Sequence, residues 1–456
     1  MQLVEQHCIN KSDPRYAVID AAAFAAKNLY NRANYEVRQS FFHLGRYLDN
    51  VKVYHRVKQT EAYRGLPAKV SNDILRQLHK NWTAFFEAVK AYKEDPSKFT
   101  GRPHPPKYKP KEKGRFLLIY DKQAIGKRAF KKTGKIVPSG LGIQFDTAVP
   151  WEALDNVRIV PRGSHYVIEV VYTVKEQPAA VDPSVVAAID LGVNHLAAIT
   201  SNKPGFQPIL VNGRPLKDLN HYYNQQRAHH QSHLARRHNR RSSHQLERIT
   251  TKRNRCVHHY LHTASRRIID LLVSEGIGTL VIGLNRGWKQ QVEMGRRNNQ
   301  TFVQIPHSRF IEMLQYKAQL VGMVVIVREE SYTSKASFLD LDPIPTYDPT
   351  CKEKPKFSGN RQTRGLYRAA NGRRVQADIN GSYNTLRKAF PHAFSQSLLR
   401  DGQEIGAPAV VPCRLKGKRR EDSGSSVPAT RQNHSLCHQL SEVLGTVDKY
   451  NKYISI

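Results

Sequence analysis

The stretch VVAAIDLGVNHLAAITSN, residues 185–202, decides which fold class the sequence predicts. Two apolar runs flank Gly192 and Asn194, which is the pattern of a buried β-hairpin with a tight turn. Asp190 ends the first run, where a carboxylate is costly unless it is paired or binds a metal. An Asp that only begins a turn also fits this position, so the residues alone leave two interpretations of Asp190.

Strand-like and helical segments alternate after this hairpin. TLVIG (279–283) and VVIV (324–327) have the composition of buried strands, and residues 308–321 and 376–390 have helical spacing. This alternation predicts an α/β domain. Asp378 lies near the start of the last helix, where an acid caps the helix, complements its dipole or binds a metal.

Positive charge runs through the whole chain. The 72 Lys and Arg exceed the 38 Asp and Glu of the 456 residues, which gives a net charge of +34. Such a chain repels itself unless a polyanion neutralises it, and phosphate backbones are the usual polyanion. Residues 214–274 form a basic helical region with few acids, which favours a phosphate-facing surface over a solvated pair of charged helices. The candidate nucleic-acid contacts are Arg236, Arg237, Arg240, Arg241, Lys252, Arg253, Lys289, Arg296, Arg297 and Arg364.

The N-terminal part has a different pattern. Residues 14–93 show helical spacing of apolar and aromatic residues, and residues 115–178 contain short β-branched runs that predict a small barrel or a curved sheet. Between them, residues 94–114 are rich in Pro and Lys and form a linker or an extended arm. Phe99 and Tyr108 in this segment would also suit a single-stranded nucleic acid.

Several classes of protein are excluded by composition. The five cysteines include no C-x-x-C pair, which argues against a disulfide scaffold and a standard zinc ribbon. The N-terminus lacks a signal-peptide core, and no stretch approaches the roughly 20 apolar residues of a membrane span. We therefore expect a cytoplasmic, nucleoid-associated protein of a prokaryote, with no membrane partner and a C-terminal tail at 396–456 that is partly disordered.

Two motifs, taken in order, resemble those of a known family. AIDLGVNHLAAITSN resembles the first RuvC motif of TnpB proteins and type V CRISPR effectors, and ADINGSYNTLRK resembles the third. TLVIGLNRGWKQ occupies the place of the second motif, so that the resemblance covers about residues 1–395. It implies a wedge-like β-barrel at 1–13 and 94–182, a helical recognition insert at 14–93, and an α/β RuvC-like (RNase H-type) nuclease domain at 183–395 with a basic helical insert at 214–274 and a zinc-less insert at 337–375.

The resemblance also implies an activity. Such proteins are encoded on insertion sequences, bind a guide RNA from the transposon end, and cut target DNA that pairs with it. Two Mg²⁺ ions held by Asp and Glu side chains are expected at the nuclease site. Asp190 and Asp378 match two of the family's metal-binding acids.

Two departures from the family pattern concern the metals. Gly283 stands where most members carry a glutamate in the second motif. The zinc-ribbon cysteines are missing, because only Cys351 lies between Ser337 and Asp378, and no zinc is expected. The chain thus resembles a zinc-less subgroup close to the effectors of CRISPR-associated transposons, which bind their targets without cutting them.

A replacement for the missing glutamate stands at the end of the next strand. Glu329 and Glu330 follow VVIVR, and neighbouring strands are only about 4.8 Å apart. Alternation sends the two side chains to opposite sides, so that only one can reach the metals. We choose Glu330 because it resembles the subgroup's glutamate, against the alternative of a surface acid beside Arg328; Asp340 and Asp342 are weaker candidates.

The sequence therefore predicts an Mg²⁺-dependent, RNA-guided DNA endonuclease with Asp190, Glu330 and Asp378 as catalytic metal ligands. The rival hypothesis is a nuclease-dead, RNA-guided DNA-binding protein that acts as a repressor or targeting module. Gly283 favours the rival, whereas the retention of both aspartates favours cleavage. A transposase that cuts and joins DNA is a third hypothesis.

Overall fold

The structure is a computed structural model that describes residues 1–238, 242–285, 295–348, 350, 355–394 and 409–411. The chain divides into two compact units, the first containing Met1–Val174 and the second lying within Lys175–Asp422.

The first unit is an antiparallel sheet with helices inserted between its strands. In chain order its elements are β1 (Gln2–Asn10), α1 (Tyr16–Leu44), α2 (Asn50–Val57), α3 (Glu61–Arg64), α4 (Ala68–Glu94), β2 (Leu118–Asp121), α5 (Lys127–Thr133), β3 (Lys135–Ile136), β4 (Phe145–Asp146), β5 (Leu154–Arg162) and β6 (His165–Thr173). The four longer strands pair in the order β1-β6-β5-β2, and β3 pairs with β4.

The helical insert predicted for the N-terminal part lies between β1 and β2. Its core contains the apolar face of α1 and the fully buried Trp82 of α4, and Phe85 and Phe86 pack against this core while partly buried. β1 and β2 are the edges of the sheet, and no pairing between them occurs within the described residues, so that the predicted barrel is not confirmed.

Residues 101–116, which we call the arm, lie extended along α1. A ladder of α1 side chains binds the backbone of the arm, because the Lys27 ammonium donates to the Lys111 carbonyl at 2.6 Å and the Asn34 amide donates to the Pro106 carbonyl at 3.0 Å. Between these rungs, Asn31 both donates to and accepts from the Lys109 backbone. The ladder fixes an extended arm, which was one of the two structures that the sequence predicted for this segment.

The second unit contains the α/β domain. Its elements are β7 (Asp182–Leu191), β8 (His195–Ser201), β9 (Ile209–Asn212), α6 (Arg214–His238), α7 (His244–Ser274), β10 (Ile277–Gly283), α8 (Arg296–Gln304), α9 (His307–Leu320), β11 (Val324–Arg328), β12 (Asn360–Thr363), β13 (Leu366–Arg368), β14 (Arg374–Gln376), α10 (Ala377–Ala389) and β15 (Ala409–Val411).

Its main sheet has the order β11-β10-β7-β8-β9-β15. β7, β8 and β9 form an antiparallel meander, and β10 and β11 run parallel to β7. This is the RNase H-type arrangement of a RuvC-like domain, and the predicted α/β class is confirmed. The predicted hairpin, the two further strands and the last two helices are all present, whereas β9 and β15 were not predicted.

Alternation along the strands gives the sheet two faces. Ile189, Leu280 and Ile282 pack in a cluster with residues of α7 and α9. Their neighbours Ala188 and Val281 lie on the opposite face and pack near the end of α10. The positions that follow these two, Asp190 and Gly283, have the same parity and therefore belong to the α10 face.

Two predictions from the sequence concern residues that the structure describes only in part or not at all. Most of the C-terminal tail at 396–456 lies outside the described residues, so its predicted partial disorder stays a prediction. Residues 409–411 form β15, which pairs in parallel with β9. Cys351 also lies outside the described residues. Among the helices that the structure describes, none is long and apolar enough to cross a membrane.

Candidate metal centre

Three parallel strands bring the candidate acids to one edge of the sheet. Ile189 pairs with Ile282, and Gly283 pairs with Arg328, so that Asp190 lies beside Gly283 and two residues before the level of Glu330. Because the carboxyl ends of parallel strands lie at the same edge, Asp190 and Glu330 meet there despite their separation in sequence.

Gly283 provides the space that the Glu330 carboxylate occupies. A Cβ atom at position 283 would lie 2.6 Å from Glu330 Oε2 and 3.2 Å from Glu330 Cβ, both far inside ordinary contact distance. A side chain at position 283 would therefore require the Glu330 carboxylate to move from its present place.

Glu330 is held by its backbone, while one carboxylate oxygen remains without a partner. The Glu330 amide donates to Asn285 Oδ1 at 3.1 Å. Its Oε2 atom is buried and has no hydrogen-bond partner among the described residues. Burial raises the pKa of Glu330 to about 7, the charge of Glu329 adds to this rise, and Lys388 opposes it.

Asp190 is buried near the negative charges of the other candidate acids. Burial raises the pKa of Asp190 well above its usual value, and the carboxylates of Glu330 and Asp378 raise it further, while Arg361 opposes them. Helix α10 can approach this closely because it presents Gly381, where a Cβ would lie 2.8 Å from Asp190 Oδ2.

Asp378 lies in the first turn of α10 but does not cap it. The Ile379 amide donates instead to Gln376 Oε1, so that the capping interpretation of Asp378 is wrong. Asp378 Oδ2 accepts hydrogen bonds from His195 Nδ1 at 2.7 Å and from Gln376 Nε2 at 3.2 Å. Arg361 Nη2 lies 3.4 Å from Asp378 Oδ1. Burial raises the pKa of Asp378, but the bonds from His195 and Gln376 and the charge of Arg361 outweigh it and lower the pKa.

The two adjacent glutamates have different partners. Lys388, which is almost fully buried, binds Glu329 Oε2 at 2.5 Å and also donates to the Ser331 carbonyl. Glu329 is therefore engaged in holding the loop after β11, whereas the Oε2 atom of Glu330 is unengaged.

The weaker candidates Asp340 and Asp342 stabilise a loop. Asp340 Oδ2 accepts from Ser337 Oγ and from the Ala370 amide, and Asp342 Oδ2 accepts from the amides of Ser337 and Ser358. These bonds give both carboxylates a structural use within the insert.

The polar residues of ADINGSYN each dock α10 onto its surroundings. Asn380 and Asn384 both donate to the Ala336 carbonyl, and Asn380 Oδ1 accepts from the Phe338 amide. Ser382 donates to the Ala188 carbonyl of β7. This motif thus fixes both Asp378 and the loop that follows Glu330 against the end of β7.

The three acids lie near one another, but their carboxylates do not converge on one point. Within the part of the chain that the structure describes, no three His, Cys, Asp or Glu side chains lie close enough together to coordinate one ion as they stand. Asp378 is turned toward His195, Gln376 and Arg361, so a shared ion requires a rotation of its carboxylate.

Two family models and one curated relative match parts of this chain. The OrfB_IS605 family model, described as a probable transposase, matches residues 169–289, and the model of the Cas12f1-like TNB domain matches residues 307–385. The TnpB-like protein ORF457 of Acidianus two-tailed virus is 25% identical over 395 residues, which cover 79% of this chain and 81% of the relative.

Over these segments the chain is similar to TnpB-type proteins. The similar solved structures share little sequence identity with this chain. A Cas12f1–sgRNA–target DNA complex is 14% identical with a TM-score of 0.45, covering 81% of this chain and 82% of that one. The mini-RNA-guided endonuclease CRISPR-Cas_phi3 is 10% identical with a TM-score of 0.39, covering 85% and 92%.

The candidate nucleic-acid residues of this chain differ in their surroundings. Arg236 on α6, Lys252 on α7 and Arg364 in the turn after β12 are exposed. The Arg253 guanidinium is occupied within the protein, because it donates to Asn220 Oδ1 and to the Gln304 carbonyl. Arg240, Arg241 and Lys289, and the side chains of Arg237, Arg296 and Arg297, lie outside the described residues.

Sequence reasoning missed three residues that shape the site. His195 and Lys388 bind the acidic side chains directly, and Gly381 lets α10 reach Asp190. The only signal for Gly381 in the sequence is a glycine in a helix interior, which is costly unless close packing requires it. His195 and Lys388 carry no local signal, because their partners are distant in the chain.

Proposed function

We propose that this chain is an RNA-guided DNA endonuclease that cuts with divalent metal held by Asp190, Glu330 and Asp378. The observation that carries the proposal is the unpartnered Oε2 of Glu330, buried beside Asp190 in the space left by Gly283. Similarity to TnpB-type proteins and the net charge of +34 support guide RNA and target DNA as partners.

The residues present fit Mg²⁺. All three candidate ligands are carboxylates, and Mg²⁺ prefers oxygen ligands. Two of these carboxylates have raised pKa values because they are buried near further negative charge, which is the environment that a bound cation would relieve. The proposal includes no zinc, in keeping with the lack of a cysteine set in the sequence.

The metals would stabilise the negative charge that develops on the scissile phosphate and its leaving oxygen. The side chains have separate tasks around them. Asp190 and Glu330 supply fixed oxygens from two strands, and His195 holds Asp378 by one oxygen so that the other can turn inward. Arg361, exposed beside Asp378, offers a cation to a backbone phosphate that enters the site.

The rival function, nuclease-dead RNA-guided DNA binding, rests on Gly283 alone. It loses its main support if Glu330 replaces the missing ligand, since the site then retains three acids. Cutting and joining of DNA by this site, the third hypothesis, is favoured only by the description of the matching family model as a probable transposase.

The deciding experiment is guide-dependent plasmid cleavage. The protein is co-expressed with its flanking locus so that its RNA co-purifies, and the guide portion is changed to match a plasmid library with randomised flanking sequence. We expect Mg²⁺-dependent cutting that Asp190→Ala, Glu330→Gln and Asp378→Asn each abolish, with Glu329→Gln as the adjacent matched control that retains it. Tight guide-dependent binding without cutting by the wild type would instead establish the rival.

A further inference from the structure

A group of exposed aromatic side chains lies on the first unit, away from any role in the proposed metal centre. Tyr35 and Phe42 on α1 and Tyr108 on the arm are 45%, 54% and 45% exposed. Single exposed apolar residues are common on protein surfaces, but Phe42 and Tyr108 both lie within cation–π distance of one arginine, Arg38, and Tyr35 lies three residues before it on α1. We call these four residues the α1 platform.

Arg38 lies between two rings of the platform, those of Phe42 and Tyr108. Its guanidinium carbon lies 5.1 Å from the centre of the Phe42 ring and 5.3 Å from the centre of the Tyr108 ring, which is cation–π distance for both. Its Nη1 also donates to the Pro106 carbonyl at 3.1 Å. Planar groups from two separate segments are thus held side by side with their outer surfaces exposed.

The platform is built on fixed backbone. Tyr35, Arg38 and Phe42 follow one another at helical spacing on α1, so that they share one side of the helix. The arm that carries Tyr108 is bound to the same helix by Lys27, Asn31 and Asn34, as described above. A ligand that stacks here meets a surface that is already ordered, which limits the entropy cost of binding.

The positive charge around the platform favours an anionic ligand. Arg38 forms no ion pair with a carboxylate in the described part of the chain, and the arm adds exposed Lys107 beside Tyr108. Arg32, by contrast, is paired with Glu36. Exposed rings interleaved with unpaired cations suit unpaired nucleobases, which stack on aromatic and guanidinium planes while their phosphates approach the cations.

We infer that the α1 platform is a stacking site for unpaired nucleobases of a single-stranded RNA or DNA segment. This rests on the proposed function only in so far as that function brings a nucleic acid to the chain. It assigns Phe42 and Tyr108 to base stacking, and Arg38 to both stacking and phosphate contact.

The test compares two oligonucleotides that differ only in their bases. Fluorescently labelled single-stranded oligouridine and an abasic oligonucleotide of equal length are titrated with the full chain, without metal or guide, and binding is followed by anisotropy. Stacking of one base contributes about 1–3 kcal/mol, so we expect the preference for bases over the abasic backbone to fall at least about fivefold in a Phe42→Leu, Tyr108→Leu double variant. Its affinity for the abasic strand should be unchanged, because no charge is removed.

Tyr222→Leu, which removes a ring 62% exposed on α6, is the matched control and should retain the preference. An equal loss of affinity for both oligonucleotides in the double variant, or no loss for either, would overturn the inference. Platform-dependent binding of an oligoglutamate peptide that excludes oligouridine would assign the surface to a protein partner instead. An Asp190→Ala protein should behave as the wild type here, so that failure of the nuclease proposal and failure of the stacking site are distinguishable.

Discussion

Replacement of Gly283 by alanine tests whether the glycine exists to accommodate Glu330. The new Cβ would lie 2.6 Å from Glu330 Oε2, whereas ordinary contacts begin at 3.4 Å, so the carboxylate must retreat by about 0.8 Å. A misplacement of about 1 Å at a catalytic group costs on the order of a hundredfold in rate. We therefore expect cleavage to slow about ten- to a hundredfold, while the fold remains intact because the displaced atoms end a flexible side chain.

The assay is guide-dependent plasmid cleavage under single-turnover conditions, accompanied by Mn²⁺ titration followed by electron paramagnetic resonance. Gly101→Ala is the matched control, because a Cβ there meets no atom within 4 Å, and it should cleave as the wild type. Wild-type cleavage and Mn²⁺ affinity in Gly283→Ala would refute the placement of Glu330 at the metals.

The exchange of the two residues makes the test sharper. Gly283→Glu alone introduces a side chain into space that Glu330 fills, and Glu330→Gly alone removes the third acid, so both single variants should be inactive. The double variant Gly283→Glu, Glu330→Gly returns one glutamate to the same face of the sheet, and we expect it to exceed either single variant at least about tenfold. Such non-additivity is the signature of direct coupling between two sites; a double variant no better than Glu330→Gly would contradict it.

Three further expectations concern neighbouring residues. The side-chain amide of His195→Asn can replace Nδ1 as the donor to Asp378, so this variant should retain Mn²⁺ affinity. His195→Gln should weaken Mn²⁺ affinity about 10- to 100-fold. Equal effects of the two substitutions would argue against a hydrogen bond that positions Asp378. Burial raises the pKa of Glu330 to about 7, so Glu330→Gln should increase the unfolding free energy of the metal-free protein at pH 8 by on the order of 1–3 kcal/mol. This gain should vanish below pH 4.5, where the acid is neutral in both the folded and the unfolded state. Urea unfolding in the presence of a chelator measures it. Lys252→Gln should lower the salt dependence of nucleic-acid binding by about one phosphate, whereas Arg253→Gln should mainly lower the unfolding free energy.

The elements with strong local patterns were predictable. The hairpin of β7 and β8, the buried strand β10 and the helix α10 all carry apolar runs or periodicity long enough to recognise. β9 and β15 have four and three residues, and a run so short does not separate a strand from a loop. β1 lies within residues 1–13, which the family resemblance assigned to the β-barrel, but no local pattern indicates it, because four of its nine residues are exposed and its partner β6 lies more than 150 residues away in the chain.

The candidate acids were accessible to sequence reasoning, but their partners were not. Alternation predicted that only one of Glu329 and Glu330 could reach the metals, and the choice of Glu330 came from the family resemblance. The bond from His195 to Asp378 spans 183 residues, and the contact of Lys388 with Glu329 spans 59, so no local spacing indicates either. Their metal-binding roles stay predictions until the variants are measured.

Gly283 is the residue whose meaning changes most between sequence and structure. In the sequence it is an absent ligand and favours a dead site. In the structure the Glu330 carboxylate fills the space beside Gly283, and a side chain at position 283 would require that carboxylate to move. A dead site would have no reason to keep Asp190 and Glu330 buried, because the raised pKa of each means that its ionised form destabilises the metal-free fold. Neutral side chains at these two positions would remove that cost, so the presence of two acids there favours a site that binds a cation, with Glu330 in place of a glutamate at position 283.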